Sequence, residues 1–131
     1  MSGTSANARV DPELEAVSAS VLRRLQEQTG DDDGELLREL VDVFLADADE
    51  TCGKLAELLG RQDAAGIGRE AHRLKSGAAN LGAQRMTDLC KLLELAGNAG
   101  EVAELASLLQ QLTDEVPKVQ AGLEEYVKNL G

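Results

Sequence analysis

Apolar residues recur along this chain at intervals of three and four positions. Leu36, Leu37, Leu40, Phe44, Ala48, Cys52, Leu55 and Leu59 form one such series, the signature of one helix face over roughly 34–60. Ile67, Ala71, Leu74, Ala78 and Leu81 form a second over about 62–81, with Asp63 as its N-cap and Gly82 at its end. Met86, Leu89, Cys90 and Leu93 predict a helix over 83–96, followed by a turn from Asn98 to Gly100. The last series is Val102, Leu105, Leu108, Leu109, Leu112, Val116, Val119 and Leu123. It predicts a helix from about Glu101 that Pro117 should kink or split. Nearer the start, Leu14, Val17, Val21, Leu22 and Leu25 suggest a short helix that opens at Pro12 or Glu13 and ends near Gln28. The stretch TGDDDG (29–34) breaks the pattern, and Asp32 and Glu35 have capping-box spacing with Asp in place of Ser or Thr. No segment alternates as a strand does, and no repeat is visible. Helices with one apolar face and short connections pack as antiparallel neighbours. The expected fold is therefore all-α: an antiparallel (up-down) four-helix bundle with an extra short N-terminal helix capping one end. Polar residues 1–12 are expected to be a disordered arm, and 13–131 one domain.

Composition narrows the class. Apolar residues are 43% of the 131 and aromatics only 2%, so the core is built from Leu, Val and Ala, which suits helices better than sheets. The net charge of -11 has the wrong sign for phosphate backbones or anionic lipid surfaces. No apolar run approaches the ~20 residues of a membrane span, and the first residues, MSGTSANARVD, lack a signal peptide's apolar centre. A cytoplasmic protein that binds neither nucleic acid nor membrane is the expectation. Cys52 and Cys90 lie within helical patterns and read as small core residues rather than a disulfide. One histidine and two cysteines offer no metal-site spacing.

That histidine, His72, carries the candidate chemistry. It lies ~140° around the helix from the centre of the Ile67–Leu81 stripe, so it points away from the core. Around it project Ala65, Gly68, Ser76 and Ala79, none larger than a hydroxymethyl group, and Lys75 is its neighbour one turn on. Gly68 and Gly77 each cost a helix about 1 kcal/mol relative to alanine, and access to the imidazole is a candidate reason. Between Arg69 and Lys91 five cations (Arg69, Arg73, Lys75, Arg85, Lys91) face two acids (Glu70, Asp88), a net +3 that leaves -14 for the rest. Such an island favours a neutral, nucleophilic ring nitrogen and would stabilise an added phosphoryl group or attract an acidic partner. Two plainer readings are a solvated charged face around an incidental histidine, and a helical interaction module that binds an acidic partner surface.

The stretch AHRLKSGAANLGA (71–83) resembles the signature of histidine-containing phosphotransfer (HPt) domains of phosphorelays. Ala71, His72, Leu74, Lys75, Leu81, Gly82 and Ala83 match in register. FLADADETCGKL before it and LCKLLE after it are similar to flanking segments of that family, so the likeness spans about 18–128. The resemblance implies an up-down bundle with His72 exposed as the phospho-accepting residue and Lys75 helping to hold the phosphoryl oxygens. It also implies that a receiver domain docks over Gly68, Arg69, Arg73, Ser76 and Ala79. Glu94 falls where several members place a glutamine that hydrogen-bonds the histidine. Two departures stand out. Ser76 and Gly77 reverse the family's usual Gly-Ser order, and the carboxylate of Glu94 can orient the ring through one nitrogen but would repel phosphate.

The function implied is a phosphocarrier that passes a phosphoryl group on His72 between receiver aspartates. No cofactor is expected on this chain, because the Mg²⁺ would sit on the receiver. Expected partners are receiver domains of response regulators and/or a hybrid histidine kinase, with the chain a monomer. It has no Gly-rich nucleotide loop and no room for an ATP-binding domain, so it should not phosphorylate itself. The short polar arm favours a free protein over a kinase fragment. A histidine-dependent hydrolase would need a nucleophile or orienting acid beside His72 in a pocket; Ser76 is one helical turn away but no acid accompanies it on that face, and the single-chain bundle with the Lys75/Gly82 pattern argues against a kinase dimerisation domain.

Overall fold

The computed structural model describes residues 15–130 as five helices with no strand. They are α1 (Ala19–Thr29), α2 (Glu35–Gly60), α3 (Ala64–Asn80), α4 (Gln84–Ala99) and α5 (Val102–Lys128). α2 to α5 form a ring in which α3 packs on α4, α4 on α5, and α2 on both α3 and α5. Neighbours run antiparallel, as cross-helix contacts show: Lys54 meets Glu70 and Asp47 meets Arg73 on α2 and α3. Arg38 near the start of α2 reaches the Val127 carbonyl at the end of α5. The centre is aliphatic, with Leu37, Leu55, Ile67, Leu74, Met86, Leu93, Leu105 and Leu112 fully buried around one aromatic, Phe44. Each buried Leu contributes about 1.5–3 kcal/mol. The expected bundle and its short closing helix are what is found.

α1 closes the end where α3 turns into α4. Ser18 donates its N–H to the Gly82 carbonyl, and its Oγ accepts from the Val21 N–H, capping the helix. Gly82 has φ 76°, and a Cβ there would lie 3.1 Å from the Ser18 carbonyl oxygen, so the turn and its contact with α1 both require glycine. Leu22 is fully buried, and the Tyr126 hydroxyl of α5 donates to Gln26. The helix thus starts at Ala19, not at Pro12 or Glu13, because Ser18 is held extended against the turn. The expected arm, Pro12, Glu13 and Leu14 lie outside the described residues.

Three other boundaries differ from expectation. The start of α2 is capped by Asp31, not Asp32: its carboxylate accepts from the Leu36 and Leu37 N–H groups at 3.0 and 2.8 Å, while Asp33 accepts from Glu35. Gly34, at φ 78°, turns the chain so that the more distant, buried aspartate reaches the helix end. α4 continues through Asn98 to Ala99, where Gly100 at φ 73° donates to the Ala96 and Gly97 carbonyls. α5 is continuous across Pro117, so the proline does not split it. An interior proline costs about 3 kcal/mol, but Leu112, Val116, Val119 and Leu123 are buried on either side of it, and their burial outweighs that loss.

The two cysteines are free, Cys52 half-buried and Cys90 buried. Burial above all pushes the Cys90 thiol up to about 12, so it is an inert core side chain.

Candidate functional site

α3 carries its apolar stripe inward through Ile67, Ala71, Leu74 and Ala78 and leaves His72 on the outside, its side chain 65% exposed. The imidazole is nevertheless held. Its Nδ1 lies 2.8 Å from Oε2 of Glu94 on α4, and Lys75 Nζ donates to the other carboxylate oxygen at 2.7 Å. Glu94 therefore bridges the histidine and the lysine. Its hydrogen bond from Lys75 above all, and then that from His72, hold the carboxyl below the usual carboxylate range against the opposing effect of burial. A carboxylate only accepts hydrogen bonds, so the proton of a neutral ring belongs on Nδ1, and Nε2 keeps its lone pair.

The histidine meets the glutamate because α3 and α4 approach very closely. A Cβ on Gly97 would lie 2.6 Å from the Ala64 carbonyl oxygen and 2.7 Å from the Gly68 nitrogen. Gly68 is itself buried, and a Cβ there would meet Asn98 Oδ1 at 2.7 Å and the Glu94 carbonyl at 3.3 Å. This corrects the reading of Gly68 as part of a bared surface, because its missing side chain admits α4. Gly77 likewise packs against Phe44 of α2. With Gly77 turned toward α2, Ser76 takes the outward position and is exposed, which accounts for the reversed Ser-Gly order. Ala65 and Ala79 are exposed as expected.

The cationic island is largely neutralised in three dimensions. Arg73 donates to Asp47 at 3.1 Å and to the Thr51 hydroxyl at 2.6 Å, and it pairs with Glu70 at 3.4 Å. The Asp47 hydrogen bond raises its pKa further. Arg73 thus fastens α3 to α2 and is not a free docking cation. Arg85 grips both oxygens of Glu115 on α5 at 3.1 Å, the two side chains only 13% and 5% exposed. Lys75 is committed to Glu94. Arg69 and Lys91 are exposed and have no hydrogen bond or ion pair among the described residues. Acids from α2, α4 and α5 supply this compensation, so a charge count along one stretch of sequence could not reveal it.

An open concavity of about 360 Å³ lies beside the imidazole, lined by Gly68, Arg69, His72, Glu94 and Asn98. Asn98 was missed from the sequence, where it reads as a turn residue; helical spacing from Glu94 to Asn98 was the available signal. A larger apolar groove of about 440 Å³ follows α2 and the far end of α3, lined by Leu25, Leu40, Val43, Phe44, Asp47, Gly77, Asn80 and Leu81. Val43 is 69% exposed at its edge. No helix of the described residues is long and apolar enough to cross a membrane.

An exposed histidine in the middle of a bundle helix, oriented by a polar group from the next helix, is also the arrangement expected from the signature in the sequence. No curated protein matches the chain. Among solved structures, the histidine-containing phosphotransfer protein B of Pseudomonas aeruginosa PAO1 is similar, with 28% identity and a TM-score of 0.78 over 87% of this chain and 96% of that one. The profile described as Hpt domain matches residues 39–122, which include α3, α4 and most of α2 and α5; the chain belongs to the Hpt family, the histidine phosphotransfer proteins of phosphorelays.

Proposed function

We propose that His72 is the phospho-accepting residue and that Nε2 is the nucleophile. The observation that carries this is the 2.8 Å contact between Nδ1 and Glu94, which fixes one ring nitrogen and leaves the other free on an exposed ring. When a receiver's aspartyl phosphate is docked over α3, the Nε2 lone pair attacks phosphorus in line. The bond from phosphorus to the aspartate oxygen breaks, and its electron pair leaves with the carboxylate. While Nδ1 keeps its proton, the phosphorylated ring carries positive charge, and Glu94 balances it. Transfer to a second receiver reverses these steps. Lys75 acts through Glu94 by holding the carboxylate toward the ring and offsetting its charge, so the glutamate's negative charge repels the phosphoryl group less. The Mg²⁺ for the transfer is expected on the receiver, and this chain supplies no nucleotide-binding loop. It works as a carrier and not as an autokinase.

Receiver docking is supported by the exposed small residues Ser76 and Ala79 and by the apolar groove along α2, whose rim residue Val43 faces solvent. The reading takes the protein to be a monomeric, cytoplasmic shuttle. For the hydrolase reading Glu94 supplies an orienting acid, but no hydroxyl bonds the imidazole among the described residues, so the nucleophile is missing. The test is incubation with a radiolabelled, phosphorylated receiver. Label is expected to move to this chain and to be lost in His72→Gln; equal labelling of that variant would overturn the assignment.

A further inference from the structure

The signature suggests Lys75 as the cation that meets the phosphoryl group, but its position in the site favours another. Lys75 stands on the Nδ1 side of the ring, its ammonium bound to Glu94 at 2.7 Å. The two nitrogens of an imidazole direct their proton and lone pair to nearly opposite sides, so a phosphoryl group on Nε2 points away from that pair. On a helix each side chain leans toward the N-terminal turn. The ring of His72 therefore lies over the turn that bears Gly68 and Arg69. The concavity beside the ring is lined by Gly68, Arg69, His72, Glu94 and Asn98, and Arg69 is its one lysine or arginine. Arg69 is three residues before His72, exposed, and without a hydrogen bond or ion pair among the described residues. In the chain's cationic stretch, Arg73, Lys75 and Arg85 are all held by acids of other helices.

Taking His72 as the phospho-acceptor, we infer that Arg69 binds the phosphoryl group on Nε2, its guanidinium donating to two phosphoryl oxygens from the open side of the ring. A planar fork of donors suits tetrahedral phosphate oxygens better than a point charge does. Asn98, one turn beyond Glu94 on α4, lines the same concavity and offers its amide as a further donor. Arg69 is thereby assigned to the phosphoryl group itself rather than to contact with a receiver, and the cation that offsets phosphate is separate from the one that holds Glu94.

The two roles separate when no receiver is present. The full chain is phosphorylated with phosphoramidate, and the ³¹P resonance of the phosphohistidine is followed against pH. The charged groups at the ring are Arg69, Glu94 and Lys75. A guanidinium on the phosphoryl oxygens favours the dianion, so its removal raises the midpoint at which the phosphoryl dianion takes up a proton. In Arg69→Gln this midpoint is expected to rise by about half a unit to one unit, a three- to tenfold loss of preference for the dianion. Arg69→Lys should recover part of that shift, and Arg23→Gln, on α1, none. Circular dichroism identifies any variant that has lost its helices. A midpoint in folded Arg69→Gln equal to that of the unsubstituted protein overturns the inference and leaves His72 as the acceptor. Equal phosphorylation of His72→Gln overturns the assignment of His72, and this inference with it.

Discussion

Gly97 sits three residues beyond Glu94 on α4, and its replacement by alanine should disturb stability and function together. The added Cβ would lie 2.6 Å from the Ala64 carbonyl oxygen, 2.7 Å from the Gly68 nitrogen and 2.9 Å from the Gly68 Cα. All three are backbone atoms, so no side chain can swing aside. Restoring ordinary contact at 3.4 Å moves α4 away from α3 by roughly 0.8 Å at that point. Overpacking of this kind costs about 1–3 kcal/mol, and the better helix propensity of alanine returns about 1 kcal/mol. The net expectation is a loss of about 0–2 kcal/mol, read as a fall in Tm of up to about 8 °C for a chain of this length. The same separation would stretch the Glu94–His72 contact from 2.8 Å to about 3.6 Å, beyond useful hydrogen-bond length. Phosphoryl transfer should therefore slow as well. Gly53→Ala is the matched control: nothing lies within 4 Å of its added Cβ on the exposed side of α2, so it should stabilise by about 0.5–1 kcal/mol. Thermal unfolding of both variants and transfer rates from a labelled receiver test the pair. A Gly97→Ala protein stabilised as much as Gly53→Ala would refute the close-approach argument.

Glu115→Ala removes the carboxylate that grips the largely buried Arg85 guanidinium and should cost up to about 3–5 kcal/mol in denaturant unfolding. A loss below about 1 kcal/mol would show that the pair contributes little to holding α4 against α5. The Glu94 carboxyl should titrate below the ordinary glutamate value by ¹³C NMR, and Lys75→Met should move its midpoint upward. Because its folded-state pKa is depressed, its contribution to stability is present above the ordinary glutamate value and is lost as pH falls through the lowered one. An unshifted midpoint in the unsubstituted protein would remove Lys75 from its assigned role. Val43→Lys should weaken receiver binding by about tenfold, with little change in Tm because the side chain is exposed. Unchanged affinity would place the docking surface elsewhere.

The bundle was legible in the sequence because Leu, Val and Ala at three- and four-residue spacing state which side of each helix is buried. The outward position of His72 followed from the same projection, since Ile67, Ala71, Leu74 and Ala78 define the opposite side. The partners of the polar residues were hidden. Lys75, Arg73 and Arg85 read as a basic cluster until α4, α2 and α5 bring Glu94, Asp47 and Glu115 against them. Gly68 read as an absence at the surface, because periodicity gives direction from a helix axis and not the distance to the next helix. The N-terminal boundaries were hard to read for a related reason. Asp31 caps a helix that begins four residues later, and Ser18 is fixed by a carbonyl sixty-four positions away; neither contact leaves a mark in local spacing.

The chain contains no tryptophan, and its one tyrosine, Tyr126, donates its hydroxyl to Gln26 at 2.7 Å where α1 lies against α5. Its ultraviolet emission is thus a built-in reporter on the lid of the barrel. A change in that signal that precedes the loss of far-ultraviolet ellipticity would mean that the lid lifts first, while the four-helix frame beneath it still holds the imidazole in place.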